Sequence, residues 1–421
     1  MDDLEKKQVH ERAALVGLNS PILGEDDSDW DTLDELEELV ETAGGECIAK
    51  VLQKRDKPDP GSFIGEGKAE EVKQLCTDNG ADIVIFDNEL SPSQIRNLEK
   101  ILELPVIDRN ALILDIFANR AQTSEGRLQV ELAQYRYVLS KLSGMGKSMS
   151  RLGGGIGTRG PGESKLETDR RHIRRRIERL TEEFEKIRKV RGVQRERRIK
   201  SEIPTAAIVG YTNAGKSTLL NTLTGAGIHA ADRLFDTLDP TVRKLDIEND
   251  ISVLFSDTVG FIRKLPHKLV EAFKATLEEV KYADVIIHVI DASNPEWHKH
   301  ISVVESIIDE LEAGGTPRIR AYNKSDLIDD LPFLRSGDVL ISAKTGKNAD
   351  KLLQEVLKLV KKPEKRLKIF IPYEKGGFVD TLHTEARVES AEYGELIEVI
   401  AVCDEKVEGR LRESGIRAEE V

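Results

Sequence analysis

The sequence predicts a multidomain α/β protein, and three observations predict it. Strand-like apolar runs alternate with amphipathic helical runs up to about residue 120, and again between about 201 and 363. Between those stretches, from Leu128, the apolar period changes to the spacing of a helical seam. Finally, the glycine-bounded octet Gly210-Tyr211-Thr212-Asn213-Ala214-Gly215-Lys216-Ser217 follows the apolar run Ala206–Val209 and precedes the helix-compatible Thr218-Leu219-Leu220. A chain of 421 residues has room for roughly two to four cores. The expected division is 1–120, an N-terminal α/β domain; 121–200, an antiparallel helical hairpin with a glycine-rich tip; 201–363, the domain bearing the octet; and 364–421, a small α+β domain.

In the first segment, Ala14–Leu18, Cys47–Val51 and Ala81–Phe86 read as strands, and Leu33–Thr42, Ala69–Cys76 and Gln94–Leu102 as amphipathic helices. Ser91 and Pro92 suit the cap and first residue of the last helix, because Pro has no N–H to leave unsatisfied there. Leu128, Leu132, Tyr135, Leu139 and Leu142 recur at 4-3-4-3 spacing, and Ile173, Ile177, Leu180, Phe184 and Ile187 repeat it. Two matching seams in sequence pack most simply as an antiparallel pair. Their connection, 143–165, holds eight glycines (144, 146, 153, 154, 155, 157, 160 and 162) among Lys147, Arg151, Arg159 and Lys165. So long a connection in a compact protein implies a use. Further on, Ile251–Ser256, Val285–Ile290, Arg318–Tyr322 and Val339–Ile341 read as strands. Past Pro363 come a strand at Lys368–Ile371, a helix at Val379–Glu385, and strands near Ala386–Ser390 and Leu396–Val402.

The octet is a phosphate-binding loop in the context it needs: its glycines let the backbone curl so that several N–H groups point at one anion. Lys216 can reach the β/γ-phosphates, and the Ser217 hydroxyl can ligate Mg²⁺. Asp257-Thr258-Val259-Gly260, Asn323-Lys324-Ser325-Asp326 and Ser342-Ala343-Lys344 follow in the order a guanine-nucleotide hydrolase requires. The domain at 201–363 is therefore expected to be a P-loop GTPase domain with Mg²⁺ as cofactor and GTP as substrate. Asp257 is assigned to Mg²⁺ through a water, and the Gly260 amide to the γ-phosphate. Asp326 matches the guanine N1–H and N2 amine, a donor pair adenine lacks, and a site left short of such a partner is heavily penalised. Asn323 and Lys324 would brace the loop and cover the base, while Ser342 and Ala343 offer backbone to the guanine carbonyl. Within Phe235-Asp236-Thr237-Leu238-Asp239-Pro240-Thr241, Thr237 is the choice for the threonine that closes over the metal, with Thr241 as the alternative. Lys216 and Thr237 are thus the candidate catalytic residues, and Ser217, Thr237 and Asp257 the candidate metal ligands. Phe261 stands where many such enzymes place a water-orienting glutamine. Either intrinsic turnover is slow and a partner accelerates it, or Phe261 packs beneath the loop and another group orients water.

The composition is that of a globular protein, with 33% charged and 39% apolar residues. The longest apolar stretch, near Ala283–Ala292, is too short to cross a bilayer and contains Asp284, His288 and Asp291. The three cysteines are widely spaced and the N-terminus has no apolar core. A reducing cytoplasm and ordinary thiols are the expectation. Net charge is −13, yet residues 170–200 hold 14 Lys+Arg against 5 Asp+Glu, a local +9 that leaves −22 for the remainder. Segregation of this kind keeps a nucleic-acid partner open where the average argues against one.

With Gly153–Asp169 in view (GGGIGTRGPGESKLETD), the chain closely resembles the HflX family of translational GTPases. The likeness extends to Phe63-Ile64-Gly65, Leu90-Ser91-Pro92-Ser93-Gln94, Val130-Glu131-Leu132-Ala133-Gln134 and the Phe235–Pro240 segment, and it supports Thr237. It spans nearly the whole chain and is weakest in the last fifty or so residues. The resemblance implies a protein that binds the large ribosomal subunit and its RNA; a monomer is expected. With GTP it splits stalled or idle ribosomes under stress, the hairpin tip approaching the peptidyl-transferase region. Thin glycine backbone and Lys/Arg side chains suit a crowded RNA surface. The competing expectation is a GTP-regulated RNA-binding or assembly factor without splitting activity. Asn213 also resembles the residue that helps hold K⁺ in cation-dependent GTPases, although an asparagine bracing the loop is the more common role. ATP use suggested for the family's N-terminal domain has only Gly65-Glu66-Gly67-Lys68 as a local candidate, which lacks the full loop pattern and reads as a helix entry.

Overall fold

A computed structural model describes residues 10–24, 27–142, 161–200, 203–225, 234–235, 241–247, 251–264, 277, 279–328, 334–361 and 365–421. The chain forms two compact units, residues 1–349 and 350–421.

The first unit begins with a four-stranded parallel sheet of order β2-β1-β3-β4, built from β1 (Arg12–Asn19), β2 (Glu46–Lys54), β3 (Ile83–Phe86) and β4 (Val106–Asp108). Along β1 the side chains alternate. Ala13 and Leu15 join one core with α1 (Trp30–Ala43) and α4 (Arg109–Arg120), while Ala14, Val16 and Leu18 join another with α2 (Glu66–Asn79) and α3 (Pro92–Leu102). A strand covered on both faces must be apolar on both, which is why β1 reads as a continuous apolar run. The caps are local. The Asp29 carboxylate accepts from the Thr32 amide at the start of α1, and Ser91 with Gln94 forms a reciprocal box before Pro92 at the start of α3. β4 and α4 have no counterpart in the sequence reading: three strand residues are too few for a period-2 signal, and α4 is apolar on more than one side.

Two long helices follow, α5 (Ser124–Leu142) and α6 (Pro161–Lys200). Glu131 pairs with Arg176 at 2.6 Å, about equally far from either side of the connection, so the helices run antiparallel as expected. Leu132 and Leu180 of the two seams are fully buried. α5 is also fastened to the sheet, since Tyr137 Oη (2.9 Å) and Lys141 Nζ (2.7 Å) both donate to buried Asp108. The connection proves shorter than the sequence reading. Residues 161–165 open α6 with Pro161 at its first turn, where a missing N–H costs nothing. The remaining tip, 143–160, lies outside the described residues.

The second sheet has order β10-β9-β8-β5-β7-β6: β5 (Thr205–Gly210), β6 (Thr241–Asp246), β7 (Ser252–Asp257), β8 (Val285–Asp291), β9 (Arg318–Asn323) and β10 (Val339–Leu340). All neighbours are parallel except β6 against β7. Between β5 and β6 lies α7 (Lys216–Thr224), and between β8 and β9 lies α8 (Trp297–Glu310). The second unit contains α9 (Ala349–Val360) and a β-α-β-β-α-β fold of β11 (Lys365–Ile371), α10 (Gly377–Glu385), β12 (Arg387–Tyr393), β13 (Ile397–Cys403), α11 (Glu405–Glu413) and β14 (Arg417–Glu420). Its antiparallel sheet has order β12-β13-β11-β14. The last helix and strand extend the α+β appendage expected from sequence.

Candidate active site

β5 is central and buried, and it ends at Gly210. Asn213 (φ 59°) and Gly215 (φ 93°) then take left-handed backbone, which turns successive amides toward one point. At Gly215 a Cβ would lie 2.3 Å from Asn323 Nδ2, so glycine is required there by space as well as by φ. Lys216 starts α7 with its side chain buried, and its amine donates to Tyr211 O at 2.9 Å. Burial lowers the Lys216 pKa to about 8, against the opposing pull of the Asp257 carboxylate. Ser217 Oγ donates to Asp257 Oδ2 at 2.7 Å, bringing together a hydroxyl and a carboxylate, the hard-oxygen set that suits Mg²⁺. Thr258 is buried and bonds Ile208 O at 2.7 Å, which locks the end of β7 beside β5.

The segments expected to read the base converge from the carboxyl ends of β9 and β10. Buried Asn323 donates to Ala214 O and accepts from the Ala343 amide, both at 2.8 Å, so one side chain joins the phosphate loop to the Ser342–Lys344 loop. Thr222 of α7 also donates to Ala343 O at 2.6 Å. Lys324 has φ 62° and reaches Asp291 at 2.7 Å, and the Ser325 amide bonds Ile341 O at 3.1 Å. Asp326 is exposed; a hydrogen bond from the Ser342 side chain, then one from its own amide, holds its carboxyl below the usual range. It stays ionised, the state that accepts two N–H donors.

Of the remaining expected residues, Asp236 and Thr237 lie outside the described residues. Phe235 is buried and packs edge-on against Phe117 of α4, with centroids 4.6 Å apart at 77°. Thr241 opens β6 in register with Asp257. Phe261 is buried, its amide donates to Gly210 O (3.1 Å), and its carbonyl accepts from the Thr212 amide (2.7 Å). Of the two roles left open for Phe261, the structure shows packing beneath the loop. Lys68 pairs with Glu71 on the surface of α2, and the Gly65 amide bonds Gln53, which is an ordinary helix entry.

Sequence reading missed a set of charged residues behind the phosphate loop. Tyr211 Oη donates to Glu35 of α1 and accepts from the Arg263 amide at 2.8 Å, while its ring stacks on His300 at 3.8 Å. Arg109, 1% exposed, pairs with Glu35 and with Asp87 (2.9 Å), and Lys264 reaches Asp87 at 2.6 Å. The one available signal was Arg109 itself, a charge heading the apolar helix of Leu112, Ile113, Ile116 and Phe117. Burial opposes ionisation of Asp87, but Arg109 and Lys264 outweigh it and hold the carboxyl low.

Residues 30–118 match the family model described as GTP-binding GTPase N-terminal, 120–198 that of the GTP-binding GTPase middle region, and 205–324 that of the 50S ribosome-binding GTPase. The GTPase HflX of Caldanaerobacter subterraneus subsp. tengcongensis is 49% identical, over 98% of this chain and 95% of its own. The GTPase HflX of Escherichia coli K12 is 46% identical, over 78% and 79%. Among solved structures, a GTP-binding protein from the archaeon Sulfolobus solfataricus in complex with GDP is 27% identical over 83% of this chain and 98% of that one, with a TM-score of 0.43. Among the described residues, no helix is long and apolar enough to cross a membrane.

Proposed function

Because the chain belongs to the HflX family of GTPases, we propose that it binds the large ribosomal subunit and splits or rescues stalled ribosomes, with GTP hydrolysis controlling release. That it hydrolyses GTP follows from the family and from the phosphate loop. The observation that carries the ribosomal reading is the match of residues 205–324 to the ribosome-binding GTPase model. The hairpin supports it physically. α6 is about 60 Å long at 1.5 Å per residue, and Arg171, Arg174, Arg175 and Arg179 stand exposed along it, available to phosphates. The labour divides along the four segments 1–120, 121–200, 201–363 and 364–421: the hairpin meets RNA and the third segment supplies the timer.

In the hydrolytic site, Lys216 supports the transferred phosphoryl group, Asp326 reads guanine, and Ser217 and Asp257, joined by Thr237, hold Mg²⁺. The metal, when bound, neutralises charge developing on the phosphates. Slow intrinsic turnover that the ribosome stimulates is a separate part of the reading, which the burial of Phe261 does not itself support; high turnover by the chain alone removes it. K⁺ beside Asn213 is a further part of the reading, tested by hydrolysis in K⁺ against Na⁺ buffer; equal rates remove it. We place the protein in the cytoplasm as a monomer. Light scattering of intact ribosomes with the chain and a non-hydrolysable GTP analogue tests the main proposal. A fall in scattering is expected; stable co-sedimentation without one would replace splitting with an assembly role.

A further inference from the structure

We propose that Tyr211 is a positioning residue for the loop that follows Gly260, the keystone of a closed ring of buried hydrogen bonds through which the N-terminal α/β segment discriminates GTP from GDP. The inference rests on the GTPase assignment alone and not on the ribosomal reading.

The ring can be followed atom by atom. Tyr211 Oη donates to one oxygen of Glu35, and Arg109 donates to the other. The second nitrogen of Arg109 donates to Asp87 Oδ1 at 2.9 Å, and Asp87 Oδ2 accepts from Lys264 Nζ at 2.6 Å. Lys264 is the chain neighbour of Arg263, whose amide donates back to Tyr211 Oη at 2.8 Å. Two carboxylates meet two cations, so the ring is neutral, and its members are largely withdrawn from water: Asp87 and Arg109 fully, the Lys264 side chain 5% exposed and that of Glu35 13%. Buried charges are stable only as complete sets, so no member moves without cost to the others.

The place where the ring enters the N-terminal segment matters. In the order β2-β1-β3-β4 the winding reverses between β1 and β3, and open parallel sheets hold their ligands at the carboxyl ends of such a pair. Here Asp87 and Ser28 line that crevice, and the group bound there is the Lys264 amine, 2.6 Å from Asp87 and 3.1 Å from Ser28 Oγ. Lys264 pays with left-handed backbone (φ 53°), uncommon for a residue with a side chain. The N-terminal segment therefore grips the loop that follows Gly260.

That grip bears on the nucleotide. A Cβ on Gly260 would lie 3.0 Å from Lys216 Nζ and 3.0 Å from Thr212 Cα, so the loop rests on the lysine that must reach a γ-phosphate. The Thr212 amide is also spent on Phe261 O. Admitting a third phosphate between Lys216 and Gly260 requires this loop to draw back, and the ring opposes that movement. A diphosphate makes no such demand. The ring thus favours GDP over GTP, and by linkage GTP weakens the grip of the N-terminal segment on the loop.

The test is the ratio of affinities of the full chain for fluorescent GDP and for a fluorescent non-hydrolysable GTP analogue. Tyr211→Phe keeps the stack on His300 and removes only the hydroxyl; Glu35→Gln opens the same ring from the N-terminal segment. Each should shift the ratio toward the analogue by about tenfold, the scale of one buried charge-assisted hydrogen bond. The double variant should shift it no further than either single variant, because a ring is opened once. An unchanged ratio in both singles, equal weakening of both nucleotides, or a double shift equal to the product of the singles would each overturn the proposal. GTP hydrolysis by the unaltered chain, measured alongside, tests the GTPase assignment separately.

Discussion

Replacing Asn323 with alanine should loosen both ends of the nucleotide site at once, and the size of the effect can be worked from its contacts. The side chain is 2% exposed and makes two buried hydrogen bonds of 2.8 Å, one to the phosphate loop at Ala214 O and one from the amide of Ala343. Alanine leaves a carbonyl and an N–H unpaired, and an unpaired buried group costs roughly 1–3 kcal/mol, so the sum is roughly 2–6 kcal/mol. A water admitted into the space left behind would bring the figure toward the lower end. GDP affinity should fall by at least about tenfold, because the loops that grip phosphate and base lose their common brace. Asn323→Asp separates the two bonds. It keeps the acceptor for the Ala343 amide but sets a carboxylate oxygen against Ala214 O, so the phosphate end should suffer while the base end holds. The assays are urea unfolding followed by tryptophan fluorescence and titration with fluorescent GDP. An alanine variant within about 0.5 kcal/mol of the parent, binding GDP within twofold, would refute the bracing argument.

Three further outcomes follow from the same geometry. Lys216, with its pKa lowered to about 8 by burial, should carry a higher pKa once phosphates surround it. Nucleotide affinity should therefore be flat below pH 8 and weaken by up to about tenfold per unit above it, with proton uptake on binding, seen by calorimetry in buffers of differing ionisation heat. Phe261→Gln should not speed hydrolysis, since the side chain at that position faces the core, and it should cost about 3–5 kcal/mol of stability; faster turnover in a phosphate-release assay would show that the loop re-aims the residue. Arg109→Met should destabilise the chain by about 3–5 kcal/mol because it strands the carboxylates of Glu35 and Asp87 out of water. A urea midpoint close to the parent's would mean that the ring contributes little to stability.

The motifs of the candidate nucleotide site were legible in sequence because they are local. Gly210–Ser217 needs glycines and a lysine at fixed offsets, and Asp257, Asn323, Asp326 and Ser342 each sit at or just past the end of a strand whose apolar run announces it. The hairpin was equally legible, since Leu132 and Leu180 lie on seams of unambiguous period. The start of α6 was misplaced because the glycines around Pro161 outweighed the helix signal of the residues after it. β4 and α4 carried no usable period at all.

By itself, then, the sequence determined the GTPase class of the protein and the order of its parts, because the motifs and helical seams are written in adjacent residues. Tertiary structure alone decided how those parts constrain one another. Glu35, Asp87, Arg109, Tyr211 and Lys264 are scattered over more than two hundred positions, and nothing in their spacing marks them as partners. They become one ring only where a doubly covered sheet brings the carboxyl ends of β1 and β3 against the loop after Gly260, and where burial makes each charge depend on the next.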